Sequence, residues 1–496
     1  MRLPTLATAA ALLAAVALPG ACSEDASLSI SGPAAFDADG SPAGDRYDAI
    51  AENPFVLTAA EPVSTFSVDA DGASYANVRR FITREGLRPP ADAVRTEEFL
   101  NYFDLHNPYD DDAHPVAVSG EVSACPWRPE HRLIRIGLRG APLPDGERVP
   151  QNFTFLIDVS GSMQGSDRLD LLKTGFAAFA KTLDARDRVA VVTYGSASTL
   201  ALAPTPGNEH DRIIAALDAL GAGGSTAGAA GITTAYDLAE ESFIAGGNNR
   251  VVVGTDGDFN VGVSSREALV ELIEERRGAG VFLTVVGVGR GNLNDASLEQ
   301  IANRGNGTYE YAATARDIEK VFVHEVDKFT TVAQDVKIQV AFDTAVVQAY
   351  RLIGYENRVL ANGDFGDDAE DAGEIGANQS ITALYEVKPV DGDGGGTLEE
   401  VQTSTVYLRY KRPGATESVF FSTPVFDAGA GFRESSDRQR FSAALAAFAL
   451  TIRNSDYRGT ANVDSAHVWL ETTAGMPDAH GYKRELAEVM AAFGRL

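Results

Sequence analysis

The 496-residue chain has a formal net charge of −28, with 42 Lys and Arg against 70 Asp and Glu. Such an excess of acid excludes a nucleic-acid-binding role and adhesion to anionic lipid through a basic face. The length exceeds what one hydrophobic core fills, so two or three domains are expected. With only Cys22 and Cys125 present, each domain must be held by its core rather than by a disulfide framework.

In chain order, residues 1–21 read as a secretory signal, with Arg2 as the positive charge and "LATAAALLAAVAL" as an apolar stretch too short to span a bilayer. The stretch runs into "LPGAC", which resembles the lipobox at which bacterial lipoproteins are acylated, although Pro19 stands where that motif usually has the leucine that Leu18 supplies one residue earlier. Cys22 is the expected lipidation site. The protein is then expected in the cell envelope, lipid-anchored on the periplasmic or surface side of a membrane; the alternative is ordinary cleavage nearby and a secreted product. Residues 22–60, rich in Gly, Ser, Ala and Asp, read as a flexible tether. Residues 61–150 carry an extended start and a helix ("STFSVDADGASYANVRRF"), a short helix ("TEEFLNYF"), then two alternating strands ("HPVAVSGEVSAC", "HRLIRIGLRG").

Between residues 151 and 330 the text becomes strands alternating with helices. "NFTFLIDVS", "RVAVVTYG", "RVVVGTDG" and "VFLTVVGVG" are short apolar runs suited to burial on both faces of a parallel sheet. Repeated strand–helix units imply an α/β fold with a doubly wound, mostly parallel sheet and ligands at the carboxyl ends of its strands. Residues 331–430 return to strands separated by Gly/Asp-rich loops, and residues 431–496 are helical. Strand-rich text on both sides of one α/β block predicts that the block is inserted in, or flanked by, a β-sandwich, with short helical segments at both ends.

The chemistry gathers at "FLIDVSGSMQGS", where a buried strand ends on Asp158 and hydroxyls follow at Ser160 and Ser162. "GAGGSTAG" places Thr226 in a glycine-rich loop before a helix, and "VVVGTDGDFN" ends another strand on Asp256. A lone D-x-S-x-S also occurs where Asp and Ser cap helices. The five positions in this order and context resemble the metal-ion-dependent adhesion site (MIDAS) of von Willebrand factor type A (VWA) domains, a Rossmann-like fold. The resemblance implies a Mg²⁺ site, with Mn²⁺ or Ca²⁺ as alternatives. Ser160, Ser162 and Thr226 would be direct ligands, with Asp158 and Asp256 acting mostly through water. Neutral alcohol ligands leave a hard cation electron-poor and able to gain from a carboxylate on another molecule.

The phrases "STFSVDADGASYANVRRF", "EEFLNYF", "YRLIGYENR", "DAGEIGA", "TALYEV" and "RFSAALAAFA" further resemble a family of exported bacterial VWA lipoproteins with an N-terminal VWA-associated segment and a C-terminal domain of unknown function. "GVGRGN" lacks the first-strand context of a dinucleotide loop, and "HEV" at His324 lacks the second histidine of a zinc protease helix. With no separate base, nucleophile or cofactor loop beside the motif, the expectation is no enzyme. The expected role is a tethered protein that captures an unknown protein partner offering an Asp or Glu carboxylate, with no nucleic-acid partner. The alternatives are a metal-dependent envelope enzyme and a scaffold whose metal is structural.

Overall fold

The apolar runs at the centre of the chain do form a doubly wound sheet. In this computed structural model, which describes residues 44–496 apart from 112, 145–146, 224–230, 258–265, 369–371 and 391–399, its strands lie in the order Tyr309–Ala312, Phe282–Val288, Asn248–Thr255, Gln151–Asp158, Arg188–Tyr194, Thr199–Pro206. All neighbours are parallel except the last pair. Alternation along each strand explains the two layers of helices. Phe153, Phe155 and Ile157 meet Phe176, Phe179 and Ile213 on one side, while Leu156, Val251 and Val253 meet Ile232, Ile273 and Leu298 on the other. The first strand in sequence, Gln151–Asp158, is central and flanked on both sides, so the crevice at its carboxyl end is the topological switch point.

The remaining strands build the expected sandwich from segments on both sides of this block. One sheet runs Val56–Leu57, Val347–Ile353, Ser380–Pro389, Arg132–Gly140, Val116–Ala124; the other runs Val359–Leu360, Val63–Ser67, Thr331–Phe342, Val401–Lys411, Ser418–Asp427. Ile134, Ile136 and Leu138 of the first face Ile338, Val340, Val406 and Leu408 of the second in one core. The chain leaves one sheet after Gly140, builds the α/β block and re-enters the other sheet at Thr331. The outer face of the first sheet is covered by helix Asp437–Ile452, whose "FSAALAAFAL" is buried almost all round. This helix starts where Ser436 accepts a hydrogen bond from Gln439 N, and Gln439 Nε2 donates to Ser123 Oγ and Leu133 O, both at 3.0 Å.

The expected tether ends before residue 60, because residues 44–60 are docked on the body. Asp45 pairs with Arg80 at 2.5 Å and accepts from Gly291 N, Arg46 bridges to Asn294, and Tyr47 Oη accepts from Asn77 at 2.6 Å. Val56–Leu57 adds an antiparallel edge beside Tyr350, and Thr58 Oγ1 donates to Val347 O. Composition hid this, since these contacts use backbone and polar side chains rather than an apolar stripe. Cys22 lies outside the described residues.

The seam between the helices and the sandwich holds an unusual buried carboxylate. Glu97 is 1% exposed and accepts a hydrogen bond from Tyr355 N at 3.0 Å. Burial, then the charges of Glu356 and Asp69, push it up to about 8. A folded carboxyl raised above its unfolded value contributes stability that is present below the ordinary carboxylate range and lost as pH rises through about 8. Glu97→Gln is therefore expected to match wild type in urea melts at acid pH and to exceed it at pH ~9; equal loss of stability with pH in both proteins would contradict this.

Candidate metal centre

Strand Gln151–Asp158 delivers Asp158 to the switch point, and the chain turns at once through Ser160 and the short 3₁₀ turn Gly161–Met163. Asp158 Oδ1 accepts from Ser160 N at 2.8 Å, a local turn that aims the next hydroxyls back toward the sheet end. Ser160 Oγ and Ser162 Oγ are 3.0 Å apart, and Ser162 Oγ donates to Asp256 Oδ1 at 3.2 Å. Thr255 Oγ1 reaches Asp158 Oδ2 at 3.5 Å. Asp158, Ser160 and Asp256 are at most 2% exposed, while Ser162 is exposed and gives the cluster its opening. Gly257, at φ 133°, turns the chain away directly after Asp256, and a side chain there would run into the Asn292 carbonyl.

Four of the five expected positions, Asp158, Ser160, Ser162 and Asp256, thus meet through one chain of contacts. Thr226 lies outside the described residues. Gly223 N donates to Val159 O at 2.9 Å, and Gly231, opening helix Gly231–Glu241, sits closely against Tyr194 and Leu156.

The electrostatics suit a cation. Burial pushes Asp158 up to about 6, against the hydrogen bonds from Ser160 and with a further contribution from the Asp256 charge. The guanidinium of Arg168 approaches Asp256 Oδ2 only to 3.7 Å, and it spends its hydrogen bonds on the carbonyls of Ser162 and Arg290. Two buried carboxylates beside two hydroxyls form an all-oxygen donor set of the kind hard divalent ions take. Arg168 was not legible as part of this site: it lies in a polar stretch, and only folding brings it over the strand end.

A second acidic group, Asp69, Asp71 and Glu299, is buried at the join of the N-terminal segment with the α/β block. Here the position a cation would take is already filled. Arg358 lies 3.0 Å from Asp69, 3.6 Å from Asp71 and 3.8 Å from Glu299, and Arg95 pairs with Glu299 at 2.9 Å. The group is a salt-bridge network that fastens three parts of the chain.

A family model described as von Willebrand factor type A domain matches residues 153–258, one described as von Willebrand factor matches 41–135, and one described as the C-terminal part of the uncharacterized protein YfbK matches 327–496. Over 466 residues the chain is 36% identical to the uncharacterized protein YfbK of Escherichia coli (strain K12), covering 90% of this chain and 80% of that one. Among solved structures, a von Willebrand factor type A protein from Catenulispora acidiphila is 14% identical with a TM-score of 0.42, covering 77% of this chain and 98% of that one. The conserved hypothetical protein BatB from Bacteroides thetaiotaomicron is 21% identical with a TM-score of 0.30, covering 36% and 98%.

Proposed function

The chain belongs to the family of VWA proteins that carry a YfbK-type C-terminal domain, and from that premise we propose that it is a membrane-tethered binding protein that captures a protein partner through a metal-ion-dependent adhesion site. The observation that carries this reading is the convergence of Asp158, Ser160, Ser162 and Asp256 at the open end of the central strand. Those residues, with Thr226, would hold Mg²⁺, or Mn²⁺ or Ca²⁺ by the same oxygen chemistry. When bound, the ion supplies an electron-poor centre for a carboxylate. The chain's own part is to gather the hydroxyls, keep Asp158 and Asp256 buried, and leave Ser162 facing outward.

The partner's contribution is an Asp or Glu side chain. The net charge of −28 repels an acidic partner at long range, but at ~0.15 M salt that field fades beyond about 8 Å, and the local metal contact decides. The test is capture from envelope extract in Mg²⁺ against chelator, with wild type and Asp158→Ala side by side. A partner retained only by wild type in Mg²⁺, and lost when one of its own carboxylates becomes an amide, supports the reading. A partner held equally well in chelator would assign binding to another surface and leave the metal a structural role.

Tethering is assigned to acylation of Cys22. Among the described residues no helix is long and apolar enough to cross a membrane. A single acyl chain holds a protein only marginally, so durable anchoring calls for the several chains that bacterial lipoproteins carry. Cys22→Ser is expected to move the protein from the membrane to the soluble fraction. An unmodified mature N-terminus in the wild type would favour the secreted alternative.

A further inference from the structure

At the other end of the α/β block, away from the metal centre, a cavity of about 330 Å³ opens where that block meets the sandwich. Arg250, near the start of strand Asn248–Thr255, lines it. Asp256 follows the far end of the same strand, six residues on or about 20 Å at the usual strand rise. The two places are therefore separate sites joined by one strand.

Four cationic side chains line the cavity: Arg250, Arg304, Lys328 and Arg358. Three of them have carboxylate partners. Arg304 pairs with Glu274 at 3.1 Å, Lys328 with Glu310 at 2.7 Å, and Arg358 with Asp69 at 3.0 Å. Arg250 has none within ion-pairing distance among the described residues, although it is only 2% exposed. Its Nη1 donates to Thr284 Oγ1 at 2.8 Å, Nε reaches Asn248 Oδ1 at 3.5 Å, and the guanidinium lies 4.5 Å from the centre of the Phe329 ring. Every one of these contacts is to a neutral group. Burial pulls the guanidinium down to about 9, against the charge of Glu374, which lines the same cavity. A buried charge without a bonded counter-charge is costly, and chains seldom keep one that nothing answers.

The rest of the wall holds neutral hydrogen-bonding groups, among them Ser67, Asn303, Thr308, Asn357 and Gln379, together with the carboxyl groups of Glu374 and of Asp71, the latter 3.6 Å from Arg358. Thr308 Oγ1 has no hydrogen-bond partner. We propose that this cavity binds a small polyhydroxylated anion, its carboxylate or phosphate on Arg250 and its hydroxyls on the amide and hydroxyl wall. A guanidinium is matched to a planar carboxylate or a phosphate by its fork of donors. The volume admits a ligand of monosaccharide size. The site is independent of the metal centre and of the function assigned to it.

The test uses the full chain in chelator, so that the metal site is silent. Thermal shift and calorimetry are run with glucuronate, glucose 6-phosphate, inorganic phosphate and, as the uncharged control, glucose. Saturable binding of the two sugar anions is expected, tighter than phosphate and at least tenfold tighter than glucose. Arg250→Met should weaken it at least tenfold while the response to Mg²⁺ stays as in wild type. Arg304→Glu, at the exposed mouth, should weaken it several-fold without touching the core, and it decides the matter should Arg250→Met fail to fold. Glucose binding as well as glucuronate, or affinity unchanged in the variants, would overturn the assignment. So would the absence of saturable binding by any anion, which would leave a water-filled cavity with a structural arginine.

Discussion

Asp158→Asn is expected to reduce Mg²⁺ and Mn²⁺ affinity by on the order of 100-fold, since it removes a charge from a site whose other near groups are two alcohols and one carboxylate. The amide keeps the shape of the side chain and an oxygen to accept the 2.8 Å hydrogen bond from Ser160 N. The loop Ser160–Met163 should hold its course, and unfolding in chelator should not move to lower denaturant. Calorimetry with each metal, paired with chelator melts, separates loss of the site from loss of the fold. Equal metal affinity in the two proteins would remove Asp158 from the centre and with it the proposed mode of capture.

Glu386→Ala is expected to cost about 3–5 kcal/mol of stability, the range for leaving a buried charge uncompensated. Glu386 is 0% exposed and takes hydrogen bonds from His131 Nδ1 at 2.6 Å, Trp127 Nε1 at 3.2 Å and Arg351 Nη2 at 3.2 Å. Arg351 is itself only 1% exposed, so removal of its partner strands a guanidinium beneath the helical layer. Burial by itself would raise Glu386; the His131 hydrogen bond, the Arg351 charge and the Trp127 hydrogen bond outweigh it and hold the carboxyl below its ordinary range. The sign follows from that. Glu386 contributes stability above the ordinary carboxylate range, and the contribution is lost as pH falls through its lowered folded value. Denaturant melts of both proteins at pH ~7 and ~3 should show the gap narrowing in acid. A gap under about 1 kcal/mol at neutral pH would mean that the network is worth no more than an exposed pair.

These two sites differ in how far they could be read in advance. The motif at Asp158 was legible because its chemistry is local: the strand end and the hydroxyls lie within five residues of chain. The Glu386 network was not, because its members are brought together from positions as far as 259 residues apart. Strand Thr199–Pro206 was missed for another reason. It is a half-exposed edge strand whose short apolar run, Leu200 to Ala203, is cut off by Pro204 and Pro206. Tyr309–Ala312, four residues long, is too short to announce a period.

By itself the sequence determined the class of the central block, the order of most of its elements and the position of four oxygen-bearing side chains at strand ends. Side-chain periodicity and strand-end polarity are properties of adjacent residues, fixed by backbone geometry before any tertiary contact forms. Only the tertiary structure decided that residues 44–60 are docked on the body. It also decided that Arg358 fills an acidic cluster while Arg250, in the strand that leads to the metal centre, has no carboxylate within ion-pairing distance among the described residues. Charge partnership depends on which surfaces meet and how much water they exclude, and no window of the sequence carries that information.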